Sequence, residues 1–235
     1  FDESHKDIRK KYLAHLNNVR NIVSKNLPNE MNLPNNFADN VMAFETKLAY
    51  ISMDNSQSRL YDEYYSKSNL NDIWKDLNTS AFTKGKLNNY KDSEKDFKLS
   101  DNELHLVKLF METLNNELNL ANLLKTNYKK NYSDYDASKA FEVCVYDGDY
   151  FRRIFHMILS EDYETKVQLY NYLQYKIISS VSGYCSKELH EEYFDFYSRT
   201  LSGQQEDKPY DKKSVIVVNA WCGEALGKLY VEKYF

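Results

Sequence analysis

Glycine and proline are scarce in this sequence, with only six and three among 235 residues. Tight turns and loop-rich β-proteins rely on glycine, and proline interrupts helices, so this scarcity favours long helices. The sequence therefore predicts an all-α fold: a multi-helix domain of long amphipathic helices with at most one short strand pair. Residues 1–235 are predicted to form one helical domain.

Long apolar runs and basic blocks are also missing. No apolar run approaches the roughly 18–20 residues that cross a bilayer, so no transmembrane segment is expected. Lys and Arg (31) are balanced by Asp and Glu (35), which gives a net charge of -4 and no basic patch for nucleic acid. The start, Phe1-Asp-Glu-Ser, has neither an initiator methionine nor a signal-peptide pattern, and we expect it to be an internal cut of a longer protein.

Cysteine is nearly absent. The three residues Cys144, Cys185 and Cys222 are an odd number without C-x-x-C spacing, so they indicate neither a zinc cage nor a complete disulfide framework. Free, partly buried thiols are the expected state.

Catalytic motifs are missing as well. A zinc-peptidase helix needs two histidines four residues apart with a glutamate beside the first, and the nearest approach, His190-Glu-Glu-Tyr-Phe194, has phenylalanine at the second position. We interpret His190 with Glu191 as a solvated face. Neither a G-x-S-x-G elbow nor a glycine-rich phosphate loop is present. The sequence therefore predicts no catalytic, cofactor-binding or metal-binding residue. The remaining histidines are isolated along the chain, and the acidic pairs are interpreted as surface features: His5, His15, His105, His156; Glu191 with Glu192, Asp147 with Asp149.

One short segment shares letters with a zinc-protease motif. Asn36-Phe-Ala-Asp39 contains N-x-A-D, but Asn35 stands where the metal-binding glutamate would be. A metal-binding role is therefore not predicted for this segment.

Apolar residues recur at helical spacing along most of the chain. The predicted helices include 4–26 with Ser4 as N-cap, and a second whose apolar face is Phe37, Val41, Phe44, Leu48 and Ile51. Ser100 and Glu103 fit a capping box that opens a helix to about residue 128. The lysine-rich stretch 79–100 is predicted to be a mobile surface loop or insertion, with an internal linker as the alternative.

The second half of the chain shows a short strand followed by capped helices. Residues 140–146 alternate in polarity and predict a strand whose partner could lie outside the chain. Asp149, Asp162 and Ser186 are predicted N-caps, and Gly183 and Gly203 are predicted to end two helices. In the last helix, Ala220, Gly223 and Gly227 form a small-residue strip that is predicted to pack against helices 163–181 and 187–201.

Several stretches resemble the neprilysin and endothelin-converting-enzyme family of zinc metalloendopeptidases. They are Tyr193-Phe-Asp-Phe-Tyr-Ser-Arg-Thr-Leu-Ser-Gly203, Gly223-Glu-Ala-Leu-Gly-Lys-Leu-Tyr-Val-Glu-Lys-Tyr-Phe235, Val145-Tyr-Asp-Gly-Asp-Tyr150, Leu169–Ile177 and Phe44-Glu-Thr-Lys-Leu-Ala49. The resemblance implies the helical, non-catalytic domain that faces the catalytic domain across an enclosed cavity and restricts entry to short peptides. It also implies that zinc lies in the catalytic portion outside this chain, that the partners are that catalytic domain and a peptide substrate, and that this chain alone is inactive.

One departure from the family keeps other interpretations open. In Tyr210-Asp-Lys-Lys-Ser214, Ser214 stands where animal members carry a disulfide cysteine. The family suggests an extracellular or cell-surface location, whereas the cysteine pattern also allows a cytoplasmic or bacterial member. The alternative function is a catalytically dead relative that acts as a protein-binding module through a tyrosine-rich face, and a likeness of fold alone is a third possibility.

Overall fold

A computed structural model describes residues 3–26, 28, 32–53, 59, 65–69, 72–79, 98–118, 142–159 and 162–234. The described chain is predominantly helical with one two-stranded antiparallel sheet, which confirms the predicted fold class. It divides into two compact units, residues 1–38 with 176–235 and residues 39–175. Most of the predicted loop 79–100 lies outside the described residues.

The first unit is built on α1 and α7. Helix α1 (Lys6–Asn26) follows a 3-10 turn at Glu3–His5, so Ser4 lies within that turn rather than at the predicted N-cap. Its buried face consists of His15, Leu16 and Val19. Helix α7 (Lys187–Tyr193) continues as a π-helix (Phe194–Leu201) and contributes Leu189, Tyr193 and Phe196 to the same unit.

Helix starts and ends follow the predictions in part. Ser186 caps α7, because its hydroxyl accepts a hydrogen bond from the backbone N–H of Leu189 at 3.1 Å. Gly203 follows the π-helix with φ of 70°, the left-handed conformation typical after a helix C-terminus. Gly183, in contrast, does not end its helix, since that helix runs on to Cys185.

The second unit contains the sheet and most of α2 (Phe37–Ile51). Strand β1 (Tyr65–Asn69) pairs antiparallel with β2 (Glu142–Tyr146), with Lys67 opposite Cys144. The predicted strand is confirmed, and its partner lies within the chain. We did not predict β1, whose sequence Tyr-Ser-Lys-Ser-Asn lacks the apolar alternation that marks a half-buried strand.

Four further helices of the described chain contribute to the second unit. They are α3 (Ile73–Asp76), α4 (Asp101–Leu118), α5 (Gly148–Leu159) and α6 (Tyr163–Cys185), the last of which continues into the first unit. Six buried side chains form the core: Ile73, Leu77, Leu99, Val107, Val145 and Phe155. Trp74 is half-buried against this cluster.

The capping box at the start of α4 is confirmed. The Ser100 hydroxyl accepts from the Glu103 backbone N–H at 3.3 Å, and the Glu103 carboxylate accepts from the Ser100 backbone N–H at 2.8 Å. Farther along α4, the apolar side chains are only partly buried, because Val107 is enclosed while Phe110 and Leu114 are exposed.

The predicted caps of the next two helices have different outcomes. Asp162 caps α6 through the Thr165 backbone N–H at 2.8 Å, as predicted. At α5 the predicted cap Asp149 is wrong, because the Asp147 carboxylate accepts from the Tyr150 backbone N–H at 2.9 Å. The cap and the helix start therefore lie two residues earlier than the pattern indicated. Asp147 has a φ of 58°, a conformation that aspartate tolerates better than most residues.

Candidate functional site

Among the described residues of the first unit, the closing helix α8 (Tyr210–Tyr234) carries the most exposed large apolar side chains. None of its residues is buried, and the indole of Trp221 is 85% exposed. Its other exposed large apolar residues are Tyr210, Val215, Ile216, Val217, Val218, Leu226, Leu229, Tyr230, Val231 and Tyr234. Large contiguous apolar surfaces on soluble proteins mark interaction sites, so α8 is the candidate functional surface of this chain.

The predicted packing of the small-residue strip is wrong. A Cβ atom added at Gly227 would meet nothing within 4 Å, and one added at Gly223 would meet only the side chain of Asn219 in the same helix. Within the first unit, the strip therefore does not seat the helix 187–201. Apolar residues lie all around α8, and such a helix fits burial among several neighbours better than burial along one seam.

The backbone of α8 breaks at Cys222. This residue has φ of -127° and ψ of 18°, outside the helical range, so the helix consists of two segments joined at a kink. The sequence offered no proline here to signal a kink.

A polar cluster anchors the first turn of α8 to α7. Asp207, in the loop before α8, accepts a hydrogen bond from Lys213, and its Oδ2 lies 2.8 Å from Nε2 of His190. Burial raises the pKa of Asp207, but the hydrogen bonds from Lys213 and His190 outweigh that effect and hold the pKa below its usual value. The carboxylate is therefore the charged centre of this junction.

A cavity of about 410 Å³ lies beside this cluster. Its charged residues largely offset one another, since Lys213 pairs with Asp207, Arg199 with Asp195 and Lys187 with Glu191. Phe194, His190, Lys208 and Tyr210 complete the lining. Carboxylates already paired with cations are poor general bases, so the arrangement favours a structural junction over acid–base catalysis.

His190 differs from its interpretation as a solvated residue. Its side chain is 29% exposed and contacts Asp207, seventeen residues farther along the chain. Local spacing could not reveal this partner, because the contact depends on the course of the loop 202–209.

His15 is the other histidine with a defined environment. Its ring is buried, stacks on Phe196, and meets Tyr193 edge-on at 4.9 Å. Nδ1 lies 2.9 Å from Oε1 of Glu192, whose Oε2 accepts from Asn18. Burial lowers the pKa of His15, and the hydrogen bond and charge of Glu192 oppose that shift only in part. Glu192 thus holds α7 to α1, which corrects its interpretation as a simple surface acid.

The second unit contains a buried ionic cluster at the start of α5. Asp149 forms ion pairs with Arg152 and Arg153, and all three side chains are buried. Arg152 also donates to the backbone carbonyl of Leu77 at 3.4 Å. The interpretation of Asp147 and Asp149 as surface acids is therefore wrong, since both are enclosed by the fold.

The cysteines are free and solvent-exposed, which corrects the expectation of partly buried thiols. Across the described ranges, no three side chains of the metal-binding types converge on a common point. Asp39 of the N-x-A-D segment is exposed on α2, and the neighbouring Asn35 accepts a hydrogen bond from Arg20. Among the helices that the structure describes, none has both the length and the hydropathy to cross a bilayer.

Comparison with known families identifies the chain. The N-terminal profile of peptidase family M13 matches residues 1–235. The chain belongs to peptidase family M13. This is the neprilysin-like family that the sequence resembles, and the chain corresponds to its N-terminal, non-catalytic portion.

A solved M13 structure has the same fold. The zinc metalloprotease Zmp1 of Mycobacterium tuberculosis, determined in an open state by cryo-electron microscopy, superposes with a TM-score of 0.64 at 20% sequence identity. The match covers 100% of this chain and 28% of the Zmp1 chain. No curated protein sequence matches the chain significantly. The M13 chain thus spans less than a third of the length of its structural relative.

Proposed function

We propose that this chain is the helical, non-catalytic part of a zinc metalloendopeptidase, where it encloses the cavity in front of the catalytic part and restricts entry to short peptides. The observation that carries the proposal is the M13 match over residues 1–235. Zinc and the hydrolytic chemistry would then reside in the catalytic part, which acts as the partner of this chain.

The exposed closing helix supports this assignment. An apolar helix of this length is costly to leave in water, and burying Trp221 alone would contribute on the order of 2–3 kcal/mol. Burial against the remainder of a larger peptidase accounts for that surface.

The test uses the full-length protein and a ladder of quenched peptides of increasing length. We expect zinc-dependent cleavage that a chelator abolishes, with kcat/KM falling steeply as the peptide lengthens and with folded proteins left intact. The 235-residue chain alone, with added zinc, should not cleave any of them. Cleavage of folded proteins at the rate of short peptides would contradict cavity restriction, and zinc-dependent cleavage by the chain alone would contradict its non-catalytic assignment.

The second candidate is a protein-binding module derived from an inactive M13 member. Three strongly exposed tyrosines on α6 favour it, because tyrosine is enriched at protein interfaces: Tyr163, Tyr170 and Tyr184. Zinc content separates the two candidates. A full-length protein that binds one zinc ion supports the peptidase, and one that binds none supports the module.

A further inference from the structure

Helix α6 has an inverted distribution of polarity. The side chains that it buries include Gln168 and Asn171, which are 4% and 2% exposed, whereas its outward face is apolar. Soluble helices normally bury the apolar face and expose the polar one. The inversion indicates that both faces of α6 are packing surfaces.

Hydrogen bonds within the chain engage several polar side chains of the inner face. Asn40 of α2 donates to Asn171 at 2.6 Å, and Asn171 donates to Gln174 at 2.9 Å. Lys47 donates to the hydroxyl of Thr165 at 2.7 Å. This amide-rich inner face is therefore already packed against α2.

The outer face carries a regular apolar stripe. Tyr170, Ile177 and Tyr184 follow Tyr163 at intervals of seven residues, and they are 63%, 66% and 86% exposed. Leu173 and Val181 fill the positions between them, and all are exposed. We name these six residues, Tyr163, Tyr170, Leu173, Ile177, Val181 and Tyr184, the outer stripe of α6.

The spacing of the outer stripe selects a helix as its occupant. A seven-residue repeat drifts by only about 20° per repeat on a straight α-helix, so the side chains stay in line. From Tyr163 to Tyr184 the stripe is about 32 Å long at 1.5 Å per residue. A partner helix with an apolar seam fits such a row by knobs-into-holes packing.

Charge narrows the choice of partner. Beside the outer stripe, on the same side of α6 and between Tyr163 and Tyr170, lies the solvent-exposed cationic side chain of Lys166. A docked helix would enclose this ammonium group, and an enclosed charge requires an opposite charge. The complementary helix should therefore carry a carboxylate opposite Lys166.

We propose that the outer stripe of α6 docks an apolar-seamed helix, with a carboxylate facing Lys166, from the remainder of the same M13 polypeptide. This inference rests on the proposed function. We assign the docked helix to the same polypeptide because of chain length. The chain covers 28% of the Zmp1 chain, so most of a protein of that size lies outside it.

Tyrosine footprinting on the unmodified full-length protein tests the docking. N-acetylimidazole is added, and peptide mass spectrometry follows the acetylation of Tyr170 and Tyr184 against Tyr50, which is 51% exposed on α2. We expect the two stripe tyrosines to react at least tenfold more slowly than Tyr50 in the native protein and at equal rates after unfolding. Equal rates in the native monomer would overturn the proposal. Protection that disappears on dilution would also overturn it, because the occupant would then be a second copy.

The charge partner is tested by Lys166→Met, with Lys176→Met as the matched control. Lys176 is exposed and lies about a quarter-turn from the stripe on the same helix. We expect Lys166→Met to lower the Tm of the full-length protein by at least about 2–4 °C, because an enclosed carboxylate loses its partner, and Lys176→Met to leave it nearly unchanged. A raised Tm for Lys166→Met would overturn the proposal that a carboxylate of the docked helix faces Lys166.

Peptide cleavage measured on the same sample keeps this proposal separate from the proposed function. Zinc-dependent cleavage without protection of the stripe tyrosines contradicts the docking proposal and leaves the proposed peptidase function intact. Protection of the stripe tyrosines without peptide cleavage supports the docking proposal and contradicts the peptidase function.

Discussion

The ring of His15 lies nearly parallel to the ring of Phe196, with centroids 4.8 Å apart and an interplanar angle of 17°. An imidazole in this position is enclosed by aromatic side chains, and its defined polar contact is with Glu192. Burial among these rings disfavours the charged imidazolium. It is therefore the largest influence on the pKa of His15, which it lowers.

His15 should make the stability of the fold depend on pH. Its pKa is lowered from 6.5 in the folded state, so the unfolded chain binds the proton more readily. The stabilising contribution is complete above pH 6.5 and is lost as the pH falls from 6.5 through the folded-state pKa. Thermal unfolding between pH 7.5 and 5 should show a smaller pH dependence for His15→Phe than for the unchanged protein. As a control, exposed His5→Phe should keep the original dependence, and an unchanged slope in His15→Phe would contradict the assignment.

Asp149→Asn should strongly destabilise the second unit. The substitution leaves Arg152 and Arg153 buried without their carboxylate, and breaking a buried ion pair costs about 3–5 kcal/mol. Urea unfolding followed by circular dichroism measures the loss. The matched control is Asp72→Asn, which breaks an exposed pair with Lys75 and should cost less than about 1 kcal/mol. Equal effects of the two substitutions would show that the cluster is solvated.

Ser100→Ala should shorten α4 from its start. It removes a hydroxyl that accepts from the Glu103 backbone N–H, and loss of such a cap costs about 1 kcal/mol. Hydrogen exchange should accelerate at the first amides of α4. Asn102→Ala, at an exposed position in the same turn, serves as the control and should not accelerate exchange.

Two glycine-to-alanine substitutions should have opposite effects on stability. In the 235-residue chain, Gly227→Ala introduces a Cβ that meets nothing within 4 Å and raises helix propensity, so it should stabilise the helical state of α8 by up to about 1 kcal/mol. Gly203→Ala places a Cβ on a backbone with φ of 70° and should destabilise by about 1–2 kcal/mol. Helix content and unfolding free energy of the pair provide the measurement. Stabilisation by Gly203→Ala would mean that the turn after the π-helix is not left-handed in solution.

Local signals in the sequence were sufficient to predict contacts between residues that are close along the chain. Ser100 with Glu103, and Ser186 with Leu189, are three residues apart, so their caps follow from helical geometry alone. The apolar face of α2 was equally readable, because Phe37, Val41 and Phe44 recur at helical spacing and are buried.

Contacts between distant segments could not be predicted in this way. His190 meets Asp207 and His15 meets Glu192 through chain reversals that no spacing rule encodes. Strand β1 was missed because its stability comes from pairing with β2 rather than from its own residues. The exposure of α8 reversed the expectation of close packing, since a small-residue strip defines a possible contact without identifying what fills it.

The kink at Cys222 has an energetic consequence for α8. It divides the helix into Tyr210–Trp221 and Gly223–Tyr234, and each segment is only as long as the lower end of the roughly 12–15 residues below which an isolated helix is marginal in water. Neither segment gains much from nucleation in the other, because the helical conformation is interrupted between them. Ordering of α8 is therefore coupled to its burial, and this segment should fold last, when a covering surface arrives.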